Sequence, residues 1–156
     1  MWWRLKRSEF AEQTGQKNKM MMKKIVDSGE VPGLLAYADG EPAGWCSVAP
    51  RETFPVLDRS PTLKKIDDKP VWSVVCFYVA KPFRSKGLMT SLLNAAVEYA
   101  KKKRAKIVEG YPVEAKRRRL SGSEGFTGLV PVFRRVGFVE AIRRSENRPI
   151  MRYIVS

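Results

Sequence analysis

The chain has 156 residues, 44% hydrophobic and 29% charged, a length and balance that fit one soluble domain and exclude a largely disordered chain. With 30 Lys and Arg against 16 Asp and Glu, its formal charge is +14, which points to polyanionic or phosphorylated partners without choosing among them. It has no histidine, which leaves no Ser/His or Cys/His nucleophile, no histidine-completed zinc set, and none of the commonest general base.

The N-terminus, MWWRLKRSEF, has two tryptophans and then charges, and no apolar run of signal-peptide or membrane-spanning length follows, so a cytoplasmic protein without a membrane partner is expected. Trp2 to Leu5 is expected to start a sheet. Residues 8–27 read as helical, with the Met20 to Met22 run as core packing, Gly29 as the stop and Gly15 as a place where the helix can split. GLLAYADGEPAGWCSVA then gives two apolar runs around an Asp39-Gly40 pair, a hairpin signal. Cys46 and Cys76, both in predicted strands, read as buried thiols. Residues 50–70 carry four prolines and little periodicity, and a long surface loop with one helical turn is expected there.

VWSVVCFYV, Val71 to Val79, is rich in β-branched and aromatic residues and reads as a strand that Pro82 ends. Leu88, Met89, Leu92, Leu93, Ala96, Val97 and Ala100 recur at helical spacing, with polar residues opposite. The loop between, AKPFRSKG, sets Arg84, Lys86 and a flexible Gly87 at a helix start, where free N–H groups and the positive dipole end favour an anion such as phosphate. AKIVEGYP, Ala105 to Pro112, reads as a second strand. Residues 71–112 thus form a β-α-β unit with parallel strands and a ligand site at their carboxyl ends. Residues 113–125 are basic and expected to be mobile. FTGLVPVFRRVGF predicts a short helix with Pro131 near its start and Gly137 at its end, and RPIMRYIV a last strand.

The loop is neither GxxxxGK[ST] nor GxGxxG. Arg84-Ser-Lys-Gly87-Leu-Met89 resembles the R-x-x-G-x-G/A acyl-CoA loop of the GNAT superfamily of N-acetyltransferases. The hairpin before it, the strand ending FYV, the helix with Leu92-Leu93 and Ala95-Ala96, the following parallel strand and the F-x-x-x-G-F of Phe133 to Phe138 carry the resemblance across most of the chain. It implies one α/β acetyltransferase domain over 1–156. The sheet would be mixed and mostly antiparallel, with a splayed parallel pair of strands, and flanked by helices.

The resemblance further implies acetyl-CoA as co-substrate, an amine-bearing acceptor, no metal, and a homodimer as a common assembly. Phe77, Tyr78 and Val79 would meet the pantetheine. Backbone N–H groups of Arg84, Ser85, Lys86, Gly87, Leu88, Met89 and Thr90 would cradle the pyrophosphate, which Gly87 lets the chain approach closely. Three positions depart from the family pattern: Met89 stands where glycine or alanine is usual, Phe133 where many members have a thiolate-protonating tyrosine, and Phe126 where asparagine is common.

Under this reading a neutral amine attacks the thioester, and a backbone N–H near Tyr78 holds the oxyanion. An amine of lysine type, with a pKa of about 10.4, costs about 4 to 5 kcal/mol to deprotonate at pH 7, so a base or a less basic amine is required. Glu109 is the candidate base, or else a carboxylate paired with one of the many cations, and Tyr111, two residues on and on the same face, the candidate thiolate acid or acceptor contact, or else a partly buried aromatic at a strand end. Trp45 and Trp72 are candidate acceptor contacts, and Lys116 to Arg119 reads as a solvated loop in preference to a hold on the 3′-phosphate of CoA or on an acidic acceptor. Two rivals stand beside this. A basic nucleic-acid module would use Lys101 to Arg104 and Lys116 to Arg119, and is disfavoured because no RRM, KH or zinc-finger pattern occurs. The other rival is an acyl-CoA-binding sensor without turnover.

Overall fold

Asp39 and Gly40 adopt φ of 52° and 79°, the left-handed pair that a tight hairpin turn needs, and join β1 (Gly33–Ala38) to β2 (Glu41–Pro50) antiparallel. This geometry comes from a computed structural model that describes residues 1–116, 119–121 and 123–156. β3 (Trp72–Val79) lies antiparallel to β2, and β4 (Ile107–Gly110) lies parallel to β3. With β5 (Val139–Arg143) and β6 (Pro149–Ile154) they form one six-stranded sheet in the order β1-β2-β3-β4-β6-β5, antiparallel except for β3–β4.

The crossover between the parallel strands is α4 (Leu88–Lys102), whose Leu92, Leu93, Ala96, Val97 and Ala100 are buried against the sheet. Lys101 and Lys102 close it at the negative end of its dipole. The shorter α5 (Val130–Val136) packs beside it on the same face, with Pro131 in its first turn and Gly137 at φ 110° ending it. One core therefore lies between this face and the two helices, where Val74, Phe77, Val108 and Phe133 meet the apolar stripe of α4.

A second core fills the other face, and here the sequence reading needs correction. Residues 50–70 do not stay on the surface: Phe54, Leu57 and Leu63 are buried against Val75, Tyr111 and Ile150, and the helical turn is α3 (Val56–Arg59). Trp2 to Leu5 is a turn, not a strand, because Trp3 anchors it in this second core and removes it from the sheet edge. The predicted 8–27 helix is two, α1 (Arg7–Glu12) and α2 (Gln16–Asp27), split at Gly15 with φ 68°. Met20 to Met22 are not core, since α2 buries no residue and Met20 is exposed. Of the basic stretch 116–119, Arg117 and Arg118 lie outside the described residues, and Lys116 pairs with Glu146 at 2.9 Å. Among the described residues no helix is long and apolar enough to cross a membrane.

Candidate active site

The site begins with one extra residue in β3. Ser47 on β2 faces Cys76, yet Val48 faces Val74, so Val75 is a β-bulge. Val74 and Phe77 consequently both enter the α4-side core, while Val75 and Cys76 both turn to the other face. Pairing with β4 stops at Val74–Gly110, and β3 runs on to Val79 with no partner strand on that side among the described residues. The two parallel strands part there.

Backbone direction along the parted stretch follows from two bonds. Ala80 N–H donates to Ala43 C=O on β2 at 2.8 Å, and Phe77 N–H donates away from β2, to Phe126 C=O at 2.6 Å. By strand alternation Phe77 and Val79 present their amides to the gap and Tyr78 presents its own to β2. The gap-facing Phe77 N–H is thus already bonded, and Val79 C=O accepts from Arg84 Nε at 3.0 Å. The N–H of Val79 is the gap-facing donor adjacent to Tyr78.

At the end of β3 the chain makes one 3-10 turn, Lys81–Phe83, and then passes through Ser85 at φ 60° and Gly87 at φ 78° into α4. The first bond closing the helix runs from Ser91 N–H to Gly87 C=O at 3.1 Å, so the amides of Leu88, Met89 and Thr90 precede the intrahelical ladder. Arg84 and Lys86 are exposed beside them, and a Cβ on Gly87 would meet nothing within 4 Å. Amides outside the ladder at a helix start, beside two exposed cations, make a cradle suited to phosphate oxygens. Gly44 on β2 brings the helix start close: a Cβ there would stand 3.1 Å from Leu88 and Leu92.

Glu109 and Tyr111 lie together on the face away from α4, both buried. Glu109 accepts from Arg51 Nη1 at 2.9 Å, from the Tyr111 hydroxyl at 2.8 Å and from Arg152 Nε at 2.7 Å. Arg51 also bonds the Tyr111 oxygen, Asp58 and the Leu63 carbonyl, each at 2.8 Å, and Ser73 Oγ lies 2.8 Å from the Tyr111 oxygen. Burial, followed by the Glu109 charge, pushes the Tyr111 hydroxyl well above the usual phenol range. A cavity of about 250 Å³, lined by Asp67, Lys69 and Arg152 among others, reaches Glu109 from the solvent side.

Residues 1–118 match the Acetyltransferase (GNAT) family. The chain belongs to that family. Its fold is shared with a ribosomal-protein-alanine N-acetyltransferase from Brucella melitensis, at TM-score 0.56 and 18% identity over 90% of this chain and 78% of that one. It is shared equally with an N-acetyltransferase from Staphylococcus aureus, at 0.57 and 13% over 90% and 76%. A third structure, yncA from Salmonella typhimurium with its cofactor acetyl-CoA, aligns at 0.58 and 12% over 92% and 75%. No curated protein matches the chain by sequence.

In this GNAT chain Phe133, beyond the residues matched to the family, is fully buried and wedged where glycines leave room. A Cβ on Gly110 would come 2.1 Å from its ring and one on Gly128 2.4 Å, and the ring packs edge-on against Phe77 and Phe138. Phe133 therefore closes the α4 side of the parted strands with hydrocarbon. Trp45 and Trp72 are not brought together. Trp72 packs on Tyr99 of α4 at the amino end of β3, whereas Trp45 pairs with the exposed Tyr78 on the other face and lays its ring over Gly33.

Sequence reasoning missed Arg51, Arg152 and Thr127. No local pattern announces a guanidinium bonded to a carboxylate 58 positions away. Gly44 was findable, since an isolated glycine inside a strand signals a close approach. Thr127 is buried between Phe126 and Gly128, with its hydroxyl unpartnered among the described residues. Both cysteines are free; Cys46 is buried and Cys76 half-buried. No group of three metal-ligating side chains occurs among the described residues.

Proposed function

We propose that this chain transfers an acetyl group from acetyl-CoA to an amine by direct attack in a ternary complex. The observation that carries the proposal is the run of amides at Ser85 to Thr90 that precede the helical ladder, at the end of a strand that has parted from its parallel neighbour. Acetyl-CoA would place its pyrophosphate on the amides from Ser85 to Thr90, and the side chains of Arg84 and Lys86 would add charge-assisted hydrogen bonds. The pantetheine would run along Phe77 to Val79. Arg84 would have to leave the Val79 carbonyl to let it in.

The amine nitrogen attacks the thioester carbon, the C–S bond breaks, and the proton lost by the amine ends on the CoA sulfur, so the products are an N-acetyl amine and the free thiol. The Val79 N–H, beside Tyr78, is the donor we assign to the oxyanion. Glu109 has both oxygens engaged by Arg51, Tyr111 and Arg152. A proton passed to it would have to displace one of these bonds, so we assign Glu109 and Tyr111 to holding the end of β4 in position and leave the amine to reach the site neutral. Thr127, next to the Phe126 carbonyl that bonds the Phe77 amide and with a hydroxyl unpartnered among the described residues, is the group we assign to the leaving sulfur.

Calorimetric titration of acetyl-CoA into the wild type and Gly87→Glu tests the donor site. Micromolar binding that the variant loses supports the proposal, and absence of binding to the wild type overturns it. A second reading, acyl-CoA binding without turnover, is favoured by the hydrocarbon Phe133 in the tyrosine position; tight binding with no acetylation of any amine in a broad screen would establish it.

A further inference from the structure

A second cavity, of about 480 Å³, opens on the face away from α4, between the N-terminal turn, the segment that follows α3 and the β5–β6 turn. Its floor is apolar, made chiefly by Trp2, Trp3 and Leu63, and its rim carries Arg7, Arg59 and Arg148. No acidic side chain lines it. None of the three arginines has an ion-pair partner among the described residues, whereas two others of this face, Arg51 and Arg152, are each held by two carboxylates. Arg7 stacks on the Trp2 ring at 5.9 Å, and burial lowers the Arg148 pKa with no carboxylate to offset it. Hydroxyls of Ser60, Thr62 and Ser145 complete the rim.

Three guanidinium groups facing one cavity repel each other, and a partly buried one without a counter-ion is costly. An anion in the cavity would remove both penalties. The volume fits one small molecule or the end of a peptide, and a floor of two indole rings suits a flat apolar body.

The position ties the cavity to the parted strands. β6 runs antiparallel to β4 with Met151 facing Gly110, so Arg148 lies beyond the carboxyl end of β4, the end where β3 and β4 separate. Trp3 stacks on Phe126 at 6.2 Å, and the Phe126 carbonyl is the acceptor for the Phe77 amide in the gap. The cavity thus lies one aromatic contact, Trp3 on Phe126, from the gap, on the face away from α4.

We infer that this cavity binds a small organic anion with an apolar body and, resting on the acetyltransferase reading, that it holds the acid group of the acceptor, an amine that also carries a carboxylate. The probe is 3-phenylpropanoate, with neutral 3-phenylpropanamide as control, titrated calorimetrically without acetyl-CoA. The acid should bind at least about ten-fold more tightly than the amide, as charge-assisted hydrogen bonds require. Arg148→Gln and the exposed Arg59→Gln should each remove most of that difference. Equal binding of acid and amide, no binding of the acid, or an acid preference unchanged in both variants would overturn the site.

With acetyl-CoA present, L-phenylalanine should be acetylated in preference to L-phenylalaninamide, through a lower KM, and Arg148→Gln should abolish the preference. A preference for the amide would overturn the acceptor assignment. Acetyl-CoA binding and its sensitivity to Gly87→Glu are read separately, so failure of the transferase reading leaves the anion titration interpretable.

Discussion

The backbone amide of Phe77 donates to the carbonyl of Phe126 at 2.6 Å, joining a strand and a loop 49 positions apart where β3 has lost its parallel neighbour. This one bond stands in for the missing ladder, keeps Phe126 on Trp3, and leaves Val79 as the next amide facing the gap. The chemistry proposed above depends on that division of β3 into a bonded residue and an open one.

Gly87 separates a conformational effect from a ligand effect. At φ 78° any L side chain is strained, by about 1 to 2 kcal/mol, yet nothing stands within 4 Å of a Cβ there. Gly87→Ala should lose about 1 kcal/mol in urea unfolding and still bind acetyl-CoA. Gly87→Glu should lose a similar amount of stability but weaken acetyl-CoA more than about ten-fold, because a carboxylate next to the cradle repels the pyrophosphate.

Glu109→Gln should act on stability before it acts on chemistry. The substitution removes the carboxylate shared by Arg51 and Arg152 and leaves both guanidiniums partly buried, at a cost of about 3 kcal/mol or more. In the folded variant the pH dependence of acetylation should keep its shape. A rate that no longer falls on the acid side in Glu109→Gln, where a general base would become protonated, would restore Glu109 as the general base.

Gly110→Ala should be severely destabilising, by about 3 kcal/mol, since its Cβ would sit 2.1 Å from the Phe133 ring. The double variant Gly110→Ala/Phe133→Leu should recover part of that loss, and a thermodynamic cycle on urea midpoints measures it. Strict additivity would mean that the ring and the glycine are not in contact.

Thr127→Val replaces a buried hydroxyl lacking a partner among the described residues by an isosteric methyl. Stability should rise by about 1 kcal/mol, because an unsatisfied buried hydroxyl is removed. The rate of acetylation should fall while acetyl-CoA affinity is unchanged. A variant both more stable and equally active would remove Thr127 from the site.

Asp67 gives the acid limb of stability. Hydrogen bonds from Arg152, at 2.7 and 3.1 Å, hold its carboxyl down to about 2, below its ordinary value near 3.8. A lowered acid contributes stability that is complete above its unfolded pKa and is lost as pH falls through its folded one. The wild type should therefore lose stability more steeply than Asp67→Asn between about pH 4 and about pH 2. Identical urea midpoints across that window would contradict the pairing.

Features written in adjacent residues were legible beforehand. The Asp39-Gly40 turn, the split at Gly15, the β-α-β unit and the glycine-bearing loop into α4 each depend on a few neighbours, and each was readable from them. Pairings across the fold were not. Glu109 and Tyr111 were placed on one face by alternation, but Arg51 and Arg152, which define what that face does, have no sequence mark. Residues 50–70 looked like a surface loop because their buried Phe54, Leu57 and Leu63 follow no regular period. The methionines of α2 looked like core because helical spacing identifies an apolar stripe without saying what it packs against. The bulge was invisible for a related reason: VWSVVCFYV is nearly all apolar, so no polar residue marks which way each side chain turns.

Val75 acts as a phase shift in the strand. Without it, alternation from Trp72 and Val74 would send Cys76 and Tyr78 toward α4 and turn Phe77 away from Phe133. Every amide beyond it would also exchange sides, so that Val79 faced β2 and Tyr78 faced the gap. A single inserted residue thus sets both which aromatic seals the helix side and which peptide group faces the gap.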